Sequence, residues 1–239
     1  MIKNIYRSIL NLLFPERCPV CHEIIVPAGN DTCEDCRNKL TLVEEPYCMK
    51  CGKPLKNDAQ EFCLDCNSRE QSFLEGRAVF VYDDIMKKSI YQFKYGGRQE
   101  YAAFYAKEMG KRLGRKAASW KADALIPIPL HRSRQKKRGY NQAALIAEEL
   151  GKQMQLPVIK DLLVREKKTT AQKNLSAAER ENNLKRAFKI ERNDVKLNSV
   201  ILVDDIYTTG STIDAAAQCL KEAGVEKIYF LVLSIGKDS

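Results

Sequence analysis

VILVDDIYTTGST, residues 200–212, decides how the larger part of this 239-residue chain is read. Four apolar residues without polar alternation read as a strand buried on both faces. Asp204 and Asp205 stand at its carboxyl end, followed by the small, mostly hydroxylated run Thr208, Thr209, Gly210, Ser211 and Thr212 before a helical period over 211–223. In doubly wound sheets ligands sit beyond the carboxyl ends of strands. Amides and hydroxyls at a helix N-terminus suit a phosphate, helped by a dipole worth about half a unit charge. Two carboxylates beside such a cradle would repel a free phosphate. A phosphorylated sugar removes the conflict, because its vicinal hydroxyls donate to the carboxylates while its phosphate lies in the cradle. Neighbouring strand residues point to opposite faces, so both acids serve one ligand only if the chain turns there.

Outward from this stretch, apolar strands alternate with helical periods. Strands are expected at 77–82, 124–128, 199–203 and 227–234, and helices at 84–95, 100–113, 141–154 and 211–223, with a capping-box start at Ser176 and Glu179. This pattern predicts an α/β fold with a doubly wound, mostly parallel sheet over residues 71–239.

Residues 1–70 are of another kind and are expected to form a separate cysteine-rich module. Cys18, Cys21, Cys33, Cys36, Cys48, Cys51, Cys63 and Cys66 make four C-x-x-C pairs, each beginning 15 residues after the last. Two residues between thiols turn both sulfurs towards one tetrahedral ion, and two pairs complete a four-sulfur zinc site. Apolar residues are few here, so metal binding must supply folding energy, on the order of 10 kcal/mol per site. Two structural zinc ions are expected. Sequential pairing (18/21/33/36 and 48/51/63/66) is simplest; a crossed pairing and His22 as a ligand stay open. Closed thiolate sites leave no position for catalysis. Cys219 reads as an ordinary buried thiol.

The formal charge of +9 is uneven: residues 1–70 carry 9 Lys and Arg against 11 Asp and Glu, and residues 71–239 carry 31 against 20. A basic larger part suits polyanions or phosphorylated ligands. Residues 111–138 alone hold ten Lys and Arg against one acid. Ile2, Ile5, Ile9, Leu12 and Leu13 fall at helical spacing, which predicts a short amphipathic helix rather than a signal peptide. No apolar run approaches the ~20 residues of a membrane span. The expected location is cytoplasmic, with room for a peripheral position at the inner face of the membrane.

Residues 200–212 resemble the phosphoribosyltransferase signature for phosphoribosyl pyrophosphate (PRPP). By that resemblance Asp204 and Asp205 hold the ribose hydroxyls, Thr208, Thr209, Gly210, Ser211 and Thr212 wrap the 5′-phosphate, and Mg²⁺ accompanies the PRPP. A double zinc ribbon ahead of such a domain is similar to the ComF (ComFC/GntX) family. So are FKYGGR at 93–98, PIPLHRSRQKKRGYNQA at 127–143, and the spread Arg165, Gln172, Leu175, Glu179, Arg180, Asn183 and Phe188. Membership implies a role in natural competence, in the handling of single-stranded DNA with a partner helicase of the ComFA type. An active transferase moving ribose 5-phosphate to an unidentified acceptor is the alternative. Relatives acting on 6-oxopurines carry Asp where Thr208 stands, which disfavours that branch. The basic segment 127–138 takes the place of the family's pyrophosphate loop. There His131, Arg132 and Arg138 would bind pyrophosphate, or Arg134, Lys136 and Lys137 with them would track DNA phosphates, or the loop is simply solvated. Tyr140 would stack on a base or pack, and Asn141 would cap the next helix. Residues 165–180 suit a mobile flap or a plain surface loop, and the ribbons suit a hood over the site.

Overall fold

In the computed structural model, which describes residues 15–27, 29–166, 187–192 and 196–237, four parallel strands form the centre. They are β1 (Glu75–Val81), β2 (Ala124–Pro127), β5 (Ser199–Tyr207) and β6 (Lys227–Ile235), in the order β1-β6-β5-β2. β3 (Leu163–Arg165) and β4 (Phe188–Ile190) make a separate antiparallel pair. The expected helix near the N-terminus, the capping box at 176–179 and most of the expected flap lie outside the described residues.

Strand residues without polar alternation are buried on both faces, as their composition requires. Val200, Leu202, Ile228, Phe230 and Val232 point into one core cluster, and Ile201, Val203, Leu231 and Leu233 into the other. Helix α3 (Asp84–Tyr95) covers the second face with Met86, Ile90 and Phe93, at the spacing of one helical stripe. Asp83 caps it by accepting from the amides of Ile85 and Met86. Helices α4 (Tyr101–Ser119) and α6 (Gln142–Met154) share that face, and α7 (Ser211–Glu222) packs on the other with Ile213, Ala216 and Leu220. α4 runs past the expected end at 113 because Gly114 lies in open space and the residues after it are good helix formers, Ala117 being buried. The loops leaving β5 and β2 therefore turn to opposite faces, opening the crevice in which such sheets bind ligands.

The 15-residue cysteine spacing folds as a 30-residue structural repeat. The amide of His22 donates to Cys18 O at 2.9 Å, and that of Gly52 to Cys48 O at 2.8 Å. Ile25 N donates to Glu16 O at 3.0 Å, and Leu55 N to Pro46 O at 2.8 Å. His22 (φ 70°) and Gly52 (φ 77°) both take the left-handed turn after the second Cys of their knuckle. Each second C-x-x-C pair then opens a one-turn helix, α1 (Glu34–Arg37) and α2 (Leu64–Ser68). The result is the sequential grouping: Cys18, Cys21, Cys33 and Cys36 together, and Cys48, Cys51, Cys63 and Cys66 together, with the sulfurs of each group within 4.8 Å of one another. Cys21 and Cys33 sulfurs lie 3.8 Å apart and those of Cys51 and Cys63 3.6 Å apart. Four sulfurs about 2.3 Å from one tetrahedral zinc are separated by about 3.8 Å, so both groups fit that ion. His22 belongs to neither group; its Nδ1 meets the Tyr101 hydroxyl at 3.1 Å.

The two ribbons dock on opposite faces of the sheet. The first packs Cys18, Val20, Ile25 and Cys36 against Ile85 of α3, and the Ser89 hydroxyl donates to Pro19 O. The second puts Cys48, Cys51 and Cys63 into the core cluster of Phe73, Tyr207 and Phe230. Between them the chain runs beside β1, Val43 N donating to Val79 O at 2.9 Å and Val81 N to Thr41 O at 2.9 Å, which covers an otherwise open sheet edge.

This asymmetry predicts unequal costs of metal loss. Metal analysis should find two zinc ions per chain, falling to one in Cys18→Ser/Cys21→Ser and in Cys48→Ser/Cys51→Ser. The second variant should melt at least ~5 °C below the first, since its site lies in the main core and 1 kcal/mol is worth about 2–4 °C in a chain of this size.

Candidate functional site

β5 continues past its apolar run, so Asp204 and Asp205 are strand residues that pair along β6, not the start of a loop. Asp204 is registered with Val232, Ile206 with Ser234 and Tyr207 with Ile235. The strand had been expected to end at 203; the ladder to β6 carries it four residues further. The alternation of faces along the strand breaks between Val203 and Tyr207. By strict alternation Tyr207 would face the cluster of Ile201 and Val203, yet it packs in that of Val200 and Leu202.

The acids are unequal. Lys94 Nζ, from FKYGGR, lies 2.8 Å from Asp205 Oδ1, with both side chains mostly buried. Asp204 Oδ1 accepts the Asp205 amide at 2.8 Å. Burial, and then the charge of Asp205, push the Asp204 carboxyl up to about 7, against the pull of Lys94. Arg165 lies within electrostatic reach of both Asp204 and Arg134.

The small-residue run turns over Tyr207. Gly210 precedes α7 with φ 77°, and a Cβ there would lie 2.2 Å from the Tyr207 hydroxyl, so conformation and space both demand glycine. Thr208 and Thr209 are exposed and Ser211 and Thr212 half-buried, with Thr209 Oγ1 2.9 Å from Ser211 Oγ. The run therefore presents hydroxyls and amides at the head of a 12-residue helix. Tyr207 stacks on Phe230 at 4.8 Å, and its buried hydroxyl has no hydrogen-bond partner among the described residues. Burial raises its pKa, and the nearby Cys51, Cys66 and Cys63 raise it further; the ring shares a core cluster with the second ribbon's thiols while its hydroxyl lies under Gly210.

That ribbon also grips the loop directly. Arg69 Nη2 donates to Thr209 O, Ser72 N donates to Asp214 Oδ1 at 2.6 Å, and Ser72 Oγ meets Gln218 Oε1 at 2.9 Å. These contacts join the segment after the second ribbon to the run 208–212 and to α7.

The basic segment is a helix rather than a loop: α5 (Arg132–Arg138), capped by His131, whose Nδ1 accepts from Ser133 N at 3.2 Å. A run of Arg, Ser, Gln and Lys closed by Gly139 at φ 80° has the propensities and C-terminal glycine of a short helix. It follows β2, whose Pro127 is registered with Val203, so it leaves the sheet beside Asp204. Arg132, Arg134, Lys136 and Lys137 are exposed. Arg138 is half-buried and engaged, donating to Gln142 Oε1 at 2.8 Å and to the Tyr95 hydroxyl at 2.9 Å. Tyr140 packs, donating to Phe93 O, and Asn141 caps α6 through Ala143 N at 3.1 Å. Cys219 is half-buried rather than buried, and its thiol is pushed up to about 11 chiefly by desolvation. Lys94, Arg69 and Tyr207 escaped sequence reasoning. Only Lys94 carried a signal, its place inside a motif whose chemistry was unassigned.

Residues 9–67 match the double zinc ribbon domain and residues 108–238 the phosphoribosyl transferase domain. Competence protein F of Haemophilus influenzae is 33% identical over 220 residues, covering 90% of this chain and 95% of that protein. Competence protein ComFC of Bacillus subtilis is 33% identical over 199 residues, covering 80% and 78%. DNA utilization protein YhgH of Escherichia coli is 26% identical over 220 residues, covering 91% and 96%. With two four-thiol groups in a 30-residue repeat and an acid pair leading into a glycine-kinked loop, the chain belongs to the ComF family, a double zinc ribbon joined to a phosphoribosyl transferase domain.

Proposed function

We propose that the chain binds a PRPP-type ligand at the carboxyl end of β5 and acts in the handling of single-stranded DNA during natural competence. One observation carries the ligand reading: on a single strand end, an acid pair stands immediately before a hydroxyl-rich loop that only glycine can close over Tyr207. A ligand with both a diol and a phosphate meets the two chemistries together. Asp204 and Asp205 accept from the ribose hydroxyls. The amides and hydroxyls of Thr208, Thr209, Gly210, Ser211 and Thr212 take the 5′-phosphate. Lys94 keeps Asp205 paired, so that the two carboxylates are not left to repel each other alone. Mg²⁺ bound with the ligand would neutralise its pyrophosphate. His131, Arg132 and Arg138, on the segment that follows β2, are the groups that would take that pyrophosphate, and the exposed Arg134, Lys136 and Lys137 extend the positive surface outward.

The competence reading is supported by the family and by two relatives that bear competence names over most of both chains. A basic surface beside the site suits a polyanionic strand, with a helicase of the ComFA type as the partner that would supply it. Among the described residues no helix is long and apolar enough to cross a membrane. A cytoplasmic position, peripheral to the membrane at most, agrees with this role. The division at residue 70 separates the metal-held ribbons from the ligand-holding part.

Asp204→Asn/Asp205→Asn should weaken PRPP binding by on the order of 100-fold or more in calorimetry, two charge-assisted acceptors being lost. Asp204→Asn alone, which leaves the Lys94 pair intact, should retain the native melting temperature. Undiminished affinity in both variants would remove the ligand assignment.

The pH dependence has a fixed sign. Asp204 is raised to about 7, so its carboxylate, the form that accepts from the diol, fills in as pH rises through 7. PRPP affinity should increase between about pH 6 and 8 and then level off. Asp204→Asn should abolish this slope, leaving only that of the ligand's own phosphates.

For DNA, log affinity for oligothymidylate should fall linearly with log salt, with a slope of about 0.7 per phosphate contacted. Replacing Arg134, Lys136 and Lys137 by Ala should flatten that slope; an unchanged slope would take α5 out of the DNA path.

A further inference from the structure

Helix α3 turns Met86, Ile90 and Phe93 into the core and leaves Lys87, Lys88, Tyr91 and Tyr95 outside. An exposed helical face is ordinarily polar throughout. Here two tyrosines one turn apart remain 60% and 49% exposed, with ring centroids 5.0 Å apart and planes inclined by 47°. Among the described residues nothing covers them, although either ring would bury readily against an apolar neighbour.

What gathers round them is cationic. Arg138 of α5 lies over the Tyr95 ring, its guanidinium carbon 4.8 Å from the centroid, while Nη2 donates to the hydroxyl at 2.9 Å. Lys137 Nζ stands 5.9 Å from the same centroid. The Tyr95 phenol is lowered from its usual pKa, first by the Arg138 hydrogen bond and further by the charges of Arg138, Lys94 and Arg134. Among the described residues, Arg134 and Lys137 form no ion pair with a carboxylate. The patch adjoins the acid pair, because Tyr95 follows Lys94, whose ammonium holds Asp205.

Exposed aromatic faces among unpaired cations meet the two demands of one polymer. A single nucleic-acid strand needs counter-charge for its phosphates and flat surfaces for its unstacked bases. A duplex keeps its bases inside and offers only phosphates, for which the tyrosines are useless. A lone nucleoside gains one stack on an open face, whereas a strand gains successive stacks and phosphate contacts together. An arginine held against a tyrosine adds a second planar surface without freedom to lose on binding.

We propose that Tyr91, Tyr95 and Arg138 form a stacking platform for the bases of single-stranded DNA, with its phosphates running along Arg134 and Lys137. This rests on the proposed handling of single-stranded DNA, and it deepens that reading by naming the surface and its chemistry. It leads the strand to the rim of the acid-pair site.

The test is fluorescence anisotropy of a labelled oligothymidylate with the full zinc-loaded chain. Tyr91, 60% exposed and paired among the described residues with the Tyr95 ring, gives the cleanest variant. Tyr91→Ala should raise Kd on the order of 10-fold while leaving the salt slope unchanged, because a base contact and not a phosphate contact is lost. Tyr91→Phe should bind like the parent, since the ring and not the hydroxyl stacks. Tyr95→Ala, checked for an unchanged melting curve, should cost at least as much. Blunt duplex should be indifferent to all three. Wild-type binding that Tyr91→Ala and Tyr95→Ala leave within about twofold overturns the platform alone. So does an equal loss of duplex binding, or competition by free thymidylate at strand-like affinity. A parent chain that binds no oligothymidylate overturns the single-strand reading and the platform together.

Discussion

The glycine-kinked turn after β5 can exist only because Tyr207 is held flat beneath it. Gly210 rides so close to the Tyr207 hydroxyl that no side chain fits between them, and the ring is fixed in turn by stacking on Phe230 and by the edge of Phe73 at 6.4 Å. Phe73 belongs to the segment that leaves the second ribbon, and the Cys48, Cys51 and Cys63 side chains are buried in the same cluster. A four-thiol site is thus mechanically continuous with the turn after β5. Arg69 and Ser72 add two polar ties, one to Thr209 in the turn and one to Asp214 in the first turn of α7. Aromatic packing of this kind is worth about 0.5–1.5 kcal/mol per pair beyond the area buried. Its larger effect is positional, since a buried tyrosine in a packed cluster has little room to shift.

The electrostatics of the strand end follow from the same rigidity. Two adjacent carboxylates in a partly buried place cannot both be left bare. Lys94 takes one, Asp204 drifts towards protonation, and the backbone amide of Asp205 steadies it. The lysine comes from α3, whose core side is fixed by Phe93 and whose outer side carries the tyrosine pair. One helix therefore presents three chemistries at three angles: packing inward, charge towards the acids, and aromatic surface outward.

Much of this was legible in the sequence, and what escaped has identifiable causes. Strand and helix positions were set by apolar periodicity, which records burial directly, so β1, β2, β5, β6 and the main helices lie where the pattern puts them. The cysteine grouping was legible because a 15-residue spacing leaves short loops that favour sequential closure. The length of β5 was not, because Asp204 and Asp205 look like a strand end until the partner strand is seen to continue beside them. The basic segment was read as a loop because charge hides helix propensity when no apolar stripe accompanies it; seven residues give no room for one. Lys94 and Arg69 act across 111 and 140 residues of sequence, and Tyr207 packs against Phe73 and Phe230 of other segments; such pairing leaves no local pattern.

The two ribbons show how a repeat acquires unequal duties. Their knuckle hydrogen bonds from Cys18, His22 and Ile25 recur at an offset of 30 from Cys48, Gly52 and Leu55, yet one half keeps histidine at the left-handed turn and the other glycine. The difference follows from what lies beneath. A Cβ at Gly52 would come 3.0 Å from Gly76 O, against β1, so the second knuckle must be bare where it meets the sheet. At the equivalent place the first knuckle faces α4, and the His22 ring uses the space to reach the Tyr101 hydroxyl at 3.1 Å. Glycine allows the second ribbon its close seat on the strands, and that seat brings its thiols into the core cluster of Tyr207. The first ribbon, standing off on a side chain, clamps α3 instead, the helix that delivers Lys94. Each half of the repeat thereby fixes one of the two partners, loop and lysine, that flank the acid pair.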